Sequence, residues 1–268
     1  MTFYEHYGMA FNPFHKSNVA SENCFRSRDF MNMEKRIEAL AETGGLGVFS
    51  AKSGMGKTFT ARFCARTLDP AVYVTKYFDQ PGASRMQFMK KVARLLGLDD
   101  TGGSTKLFDR IQESLMRFHS EQKKMLILVI DDAQDLQESV LLSLKALMNF
   151  DYDSQDCFSL VLCGEPVLNS IINRFEYTSL RERVTVHYTF QGLSEQEVGS
   201  YILHKIKMAG GSESIIQKTA LEKAASLSNI PRTIDSIMTK ALMMGVEDGK
   251  KVIDSDLVMA GSNSLIIA

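Results

Sequence analysis

The chain carries Ala51-Lys52-Ser53-Gly54-Met55-Gly56-Lys57-Thr58, a glycine-rich run that ends in a lysine and a hydroxyl residue. This combination suits phosphate. Glycines let backbone N–H groups curl around phosphate oxygens with no Cβ in the way. A helix starting near the lysine adds unpaired donors and the positive end of its dipole. On this reading Ser53, Gly54, Met55, Gly56, Lys57, Thr58 and Phe59 form a binding loop. Lys57 reaches the β- and γ-phosphates of a nucleoside triphosphate, and the Thr58 hydroxyl sits on Mg²⁺. The usual pattern opens with glycine, and Ala51 stands there instead.

A second set of residues complements the first. Met125-Leu126-Ile127-Leu128-Val129-Ile130 is an unbroken apolar run that ends in Asp131-Asp132-Ala133-Gln134. A strand buried on both faces reads this way, with carboxylates exposed at its C-terminal end. Asp131 is placed to hold Mg²⁺, and Asp132 to polarise an attacking water. Two aspartates after a strand also suit the cap of a following helix, here over 134–148. Lys57 upstream favours the metal reading. The two sets together predict that the chain binds ATP or GTP and hydrolyses it to diphosphate and phosphate.

These residues need a scaffold. Gly47 to Ser50 reads as a strand entering the loop, and 59–68 as a helix leaving it, stopped by Asp69-Pro70. Further strands are expected over 72–77, 157–163 and 184–189, with helices over 29–42, 84–98 and 105–119. A turn is expected at Asp79-Gln80-Pro81-Gly82. Five strands separated by helices imply a parallel five-stranded sheet sandwiched by helices, an α/β fold. From Ser194 onward the pattern is helical only, over about 194–209, 217–228, 231–247 and 254–260. The expected domains are an aromatic arm over 1–28 (Phe3, Tyr4, Tyr7, Phe11, Phe14, Phe25), a nucleotide-binding domain over 29–190, and a helical lid over 191–268.

Bulk composition narrows the class. The 268 residues are 44% hydrophobic and 24% charged, with a formal net charge of −1. A globally basic nucleic-acid binder is excluded, so any such binding must come from a local patch. Cys24, Cys64, Cys157 and Cys163 form no CxxC pair and no zinc-like spacing, which fits a reduced cytoplasmic protein. The N-terminus lacks a signal-peptide pattern, and no apolar run approaches the ~20 residues of a membrane helix. No membrane partner is expected.

Two later segments carry a resemblance. Ser179-Leu180-Arg181-Glu182-Arg183 places arginines just before the last strand, and Asn229-Ile230-Pro231-Arg232 opens a lid helix with another. With the phosphate loop and Asp131-Asp132, this resembles the AAA+ superfamily of P-loop NTPases. The resemblance implies Arg183 as an arginine finger reaching a neighbouring subunit's γ-phosphate, with Arg181 as the fallback, and Arg232 as a second sensor. It also implies self-assembly into a ring or helical filament. Tyr4-Glu5-His6-Tyr7-Gly8, Asn12-Pro13-Phe14, Leu162-Cys163-Gly164-Glu165-Pro166 and Leu193-Ser194-Glu195-Gln196-Glu197-Val198 are similar to the ExeA-type ATPases. They are also similar to transposition ATPases of the MuB, TnsC and IstB kind. Asp132 stands where the superfamily commonly has Glu, which implies slower activation of water. The first sensor lies near Cys163 or Glu165 and is left unassigned.

Members of the transposition group bind duplex DNA through helices after the second strand. Here that region carries Lys76, Arg85, Lys90, Lys91, Arg94, Thr105, Lys106 and Arg110, with Ser84 and Thr105 at the starts of the two helices. An assembly that repeats a weak basic patch multiplies its phosphate contacts. With no base-reading motif, binding is expected to be independent of sequence. The resemblance implies an ATP- and Mg²⁺-dependent regulator that oligomerises on double-stranded DNA and recruits or activates a transposase. A secretion-system assembly ATPase of the ExeA type and a helicase-loader or replication ATPase are the alternatives, beside a nucleotide-gated scaffold with negligible turnover. Secretion-type members continue into a membrane span and a cell-wall-binding domain. This chain ends at Ser262-Asn263-Ser264-Leu265-Ile266-Ile267-Ala268, which weighs toward the transposition expectation.

Overall fold

The computed structural model describes residues 2–15, 23–79, 82–150 and 156–265. Helices α1 (Phe3–His6) and α2 (Arg28–Thr43) precede β1 (Gly45–Ser50), α3 (Lys57–Thr67) and β2 (Tyr73–Phe78). Then come α4 (Arg85–Leu95), α5 (Ser104–Ser120), β3 (Met125–Ile130), α6 (Glu138–Leu147) and β4 (Phe158–Gly164). Two short helices, α7 (Val167–Ile172) and α8 (Thr178–Arg181), lead to β5 (Val184–Thr189). The chain finishes with α9 (Glu195–Met208), α10 (Lys218–Leu227), α11 (Pro231–Glu247) and α12 (Ser255–Asn263). Gln80 and Pro81 of the expected turn, and 266–268 of the C-terminus, lie outside the described residues.

The five strands form one parallel sheet in the order β2-β3-β4-β1-β5. Burial follows that order. β1 and β4 are buried throughout and β3 over all but its first residue, whereas the edges β2 and β5 are partly open. This explains why β3 and β4 read as continuous apolar runs, since both of their faces are covered.

The chain divides into two compact units. The α/β unit comprises Phe30–Ser53 and Lys57–Phe190, and the helical unit Met1–Asp29, Gly54–Gly56 and Gln191–Ala268. In the α/β unit, Leu126, Leu128 and Ile130 of β3 pack with Phe88, Met89 and Val92 of α4 and Leu107 and Ile111 of α5. Ser84 caps α4 by accepting from the Gln87 N–H, while the Gln87 side chain returns to the Ser84 N–H. This reciprocal arrangement satisfies two donors that a helix start leaves open.

In the helical unit, Ile202, Ile206, Ile234, Met238, Leu242 and Leu257 form the core. Residues 1–28, read from the sequence as a segment of their own, contribute Tyr7, Met9 and Phe14 to it. The Tyr7 hydroxyl donates to the Leu242 carbonyl at 3.4 Å, and the Ala10 N–H to the Ala209 carbonyl at 2.8 Å. Ser194 caps α9 with Glu197 in the same reciprocal way, and Pro231 occupies the first turn of α11, where no N–H is needed.

One expected helix is shorter than its sequence suggests. Asp132 adopts the left-handed conformation, φ 50° and ψ 40°, and a single 3₁₀ turn follows over Ala133–Asp135. Leu136 and Gln137 are extended, so α6 begins at Glu138 rather than Gln134. The helix starts late because the acidic pair takes a turn of its own.

Candidate active site

The loop before α3 depends on two glycines with positive φ, Gly54 at 85° and Gly56 at 91°. That region favours residues without a Cβ. A Cβ on Gly54 would also lie 2.7 Å from the Arg232 Cβ and 3.1 Å from Ile230 Cγ2, whereas a Cβ on Gly56 would meet nothing within 4 Å. The Gly54 carbonyl accepts from the Arg232 N–H at 3.2 Å within the helical unit. Ala51 needs no glycine. It has no positive φ, is fully buried, and its N–H donates to the Gly164 carbonyl at 3.0 Å, continuing the pairing of β1 with β4.

Lys57 is the first residue of α3 and is 8% exposed. Among the described residues its ammonium has no hydrogen bond and no carboxylate within 4 Å. A lysine held mostly out of solvent, with no anion beside it among the described residues, suits a site that an anionic ligand completes. Thr58, half-buried, has no side-chain hydrogen bond among the described residues. Phe59 packs its ring 6.4 Å from that of Phe30, a packing role beside the loop.

The sheet order places the ends of β1 and β3 on either side of β4, roughly 10 Å apart at ordinary strand spacing. Asp131, directly after β3, is 6% exposed. Its N–H donates to the Phe78 carbonyl at 3.2 Å, which extends the β2–β3 ladder. Its Oδ1 accepts from the Asp132 N–H at 3.0 Å, and its Oδ2 from the Tyr77 hydroxyl at 2.6 Å. Asp132 is exposed, and its carboxylate has no partner among the described residues. A non-glycine residue in the left-handed region stores some strain, a feature that concentrates at functional sites.

Cys163, at the end of β4, reports the convergence of these groups. Burial pushes its thiol well above the usual range, the Asp131 carboxylate adds to the shift and the Lys57 ammonium opposes it. Lys57, at the start of α3, and Asp131, directly after β3, therefore act on the same point. The thiol itself stays protonated and packs as a small apolar group.

Tyr77 was not singled out from the sequence. Burial raises its phenol pKa and the Asp131 carboxylate adds to this, so it remains a hydrogen-bond donor at neutral pH. The available signal was strand parity. Thr75 and Tyr77 alternate with Val74 and Phe78 on β2, which puts a polar tip beside the acidic end of β3.

The two arginines before β5 lie elsewhere. The Leu46 N–H donates to the Arg183 carbonyl at 3.1 Å, which fixes Arg183 at the N-terminal end of β1. The phosphate loop leaves the other end, four residues on, or roughly 13 Å away along a strand. Arg183 is half-buried with Nη1 donating to the Met148 carbonyl at 3.4 Å, whereas Arg181 is exposed with Nη1 donating to the Asn173 carbonyl at 3.1 Å.

The residues expected to touch DNA divide. Arg85, Thr105 and Lys106 are exposed and Lys90 half-exposed, and the three cations make no ion pair among the described residues. Lys91, Arg94 and Arg110 are engaged instead by Asp79, Asp100 and Asp99. Lys76 is half-buried and lines an apolar space with Val92, Leu95 and Ile111, so it is not part of an open basic face. Thr105 is the second residue of α5, whose cap is Gly103, and not the helix start expected.

The donor set suits Mg²⁺, which takes a hydroxyl and one or two carboxylates and leaves other positions to phosphate and water. Among the described residues no three His, Cys, Asp or Glu gather as a dedicated metal cage. No helix there is long and apolar enough to cross a membrane.

Comparisons with known proteins agree with this geometry. The sequence profile of the family described as AAA domain matches residues 40–172. General secretion pathway protein A of Aeromonas hydrophila is 29% identical over 238 residues, 85% of this chain. The chain spans only 43% of the length of that relative. Among solved structures, Cdc6p from Pyrobaculum aerophilum matches with a TM-score of 0.70 at 18% identity, over 96% of this chain and 71% of that one. Drosophila ORC bound to DNA matches with a TM-score of 0.69 at 18% identity, over 96% of this chain and 65% of that one. The RuvB Holliday junction branch migration motor of Thermotoga maritima gives 0.61 at 18% identity, over 90% and 70%. The fold is that of an AAA+ P-loop NTPase, and the matched profile and the secretion-pathway relative support an AAA+ ATPase.

Proposed function

We propose that the chain is an Mg²⁺-dependent ATPase that works by nucleotide-driven self-assembly, as a module of the kind found in General secretion pathway protein A. The observation that carries the ATPase reading is Lys57, a mostly buried lysine at the start of α3 with no anion beside it among the described residues. Lys57 and the backbone N–H groups of 53–58 hold the phosphates of ATP. Thr58 and Asp131 hold magnesium, which when bound neutralises charge on the phosphate oxygens. Asp132, exposed and with no partner for its carboxylate among the described residues, orients the attacking water and takes up its proton as the bond to the γ-phosphorus forms. ADP leaves with the electron pair of the broken bond. Arg232, in the helical unit, serves as the second sensor.

Arg183 lies at the opposite end of the sheet from its own loop, which supports action on a neighbouring subunit's phosphate. The secretion-type setting rests on the similarity to the A. hydrophila protein over 85% of this chain. A second reading, a DNA-bound regulator of transposition or replication, draws on Arg85, Lys90 and Lys106, cations without acidic partners among the described residues. It draws also on the likeness to a structure of ORC bound to DNA.

ATP turnover of the purified chain tests the proposal. Wild type hydrolyses ATP, and Asp132→Asn keeps nucleotide affinity while turnover falls by about 10²-fold, the scale of losing a general base. Mixing Arg183→Ala with Lys57→Ala, each inactive alone, restores part of the turnover, because a hybrid interface pairs an intact loop with an intact finger. Asp132→Asn at the wild-type rate contradicts the mechanism. Random-sequence duplex at low salt separates the two settings. ATP-dependent binding that Arg85→Glu/Lys90→Glu weakens selects the DNA reading, and assembly without duplex selects the secretion-type reading.

A further inference from the structure

The carboxylate of Asp131 is held from two sides before any ligand arrives. The Asp132 N–H engages Oδ1 at 3.0 Å and the Tyr77 hydroxyl engages Oδ2 at 2.6 Å. The first contact comes from the adjacent residue and belongs to the turn. The second comes from another strand, 54 positions earlier in the chain. Tyr77 is set opposite Val129 in the parallel register of β2 and β3, so its ring extends past the strand end toward the acidic turn. The neighbouring Phe78 points to the other face, where it packs 4.9 Å from the Phe88 ring of α4. On the Tyr77 side, the Arg62 guanidinium of α3 stands 5.1 Å from the centre of the phenol ring. Tyr77 is thus fixed by strand register and covered by the helix that begins with Lys57.

An aspartate has one torsion that turns its carboxylate about Cβ–Cγ, and a two-fold well there is broad. A hydrogen bond to one oxygen from a rigid strand narrows that well. It also leaves defined lone pairs of the carboxylate for a cation or its bound water. Partners of this type around metal ligands alter metal affinity by about 10–100-fold when removed. We infer that Tyr77 is a positioning residue for the divalent cation of the nucleotide complex. Its hydroxyl orients Asp131 so that the carboxylate receives Mg²⁺ together with the phosphates. This rests on the ATPase reading above, and it assigns the metal-dependent part of affinity to a residue outside the phosphate loop and the acidic pair.

The test separates the metal from the nucleotide. A fluorescent ATP analogue is titrated into the full chain and into Tyr77→Phe, once with excess EDTA and once with Mg²⁺. Direct Mn²⁺ binding to the ADP complex is followed in parallel by electron paramagnetic resonance. Tyr77→Phe is expected to bind metal-free nucleotide within about twofold of wild type, while the gain in affinity from Mg²⁺ shrinks by about 10-fold. Mn²⁺ binding weakens by a similar factor. In the Asp131→Asn background the same Tyr77→Phe change has little further effect, because the carboxylate it orients is gone.

Three results overturn the inference: an unchanged Mg²⁺ gain in Tyr77→Phe, an equal loss with and without metal, or a full Tyr77→Phe effect that persists in Asp131→Asn. The second marks Tyr77 as a packing residue only. Failure of the underlying reading looks different, since wild type itself then binds no nucleotide under either condition.

Discussion

Two buried lysines in this molecule have almost the same exposure and opposite surroundings. Lys205 in the helical unit is 7% exposed, and Lys57 in the α/β unit 8%. The Lys205 ammonium donates to both oxygens of Asp235 at 2.8 Å, and the Tyr201 hydroxyl donates to the same carboxylate at 2.8 Å. The rings of Tyr201 and Phe14 lie 5.0 and 5.8 Å from the ammonium. Burial lowers the Lys205 pKa and raises that of Asp235, with their mutual attraction opposing both shifts. Lys57 has no comparable company among the described residues. One charge is completed by the fold and packs within the helical core. The other has the proposed role of meeting a ligand, and residue burial alone does not separate the two.

Substitution exposes the difference most strongly at Lys205. Removing one member of a buried pair leaves an uncompensated charge and costs about 3–5 kcal/mol. Lys205→Met is expected to lower stability by that amount in a denaturant melt, whereas Lys205→Met/Asp235→Leu recovers most of it. Lys57→Met is expected to keep or raise the stability of the ligand-free protein, because the lysine it replaces has no ion pair to lose among the described residues. A Lys57→Met variant as destabilised as Lys205→Met removes the contrast. A smaller effect sharpens it from the loop side. Gly54→Ala forces a Cβ into the left-handed region, at about 1–2 kcal/mol, and against the Arg232 side chain. Nucleotide affinity should fall by about 10-fold with little change at the Lys205 pair, as measured by titration with the fluorescent analogue.

The sequence makes some of this legible and hides the rest for physical reasons. Glycine-Lys57-Thr58 and the Asp131-Asp132 pair stand out because the phosphate and metal roles proposed for them demand particular side chains at short spacing. The central strands are legible because burial on both faces leaves them uniformly apolar. Tyr77 is hidden because its partner lies on another strand and a tyrosine on an edge strand looks like ordinary packing. The late start of α6 is hidden because an aspartate tolerates the left-handed turn that breaks the expected helix. The position of Arg183 at the far end of β1 follows from the sheet order, which local pattern does not encode. The aromatic arm reads as a separate segment because nothing local links Tyr7 and Phe14 to helices some 200 residues later. Lys76 reads as part of a basic face, yet its strand turns it toward apolar neighbours.

ATP phosphates are the proposed partner of Lys57, which has no anion beside it among the described residues. Calorimetric titration of Mg²⁺·ATP into wild type and Lys57→Ala tests this most directly. Wild type is expected to bind tightly and the variant to lose at least about 30-fold, the ~2 kcal/mol or more that truncating one side of a hydrogen-bonded charge pair costs. Equal affinity in the two proteins, with both folded, would contradict it.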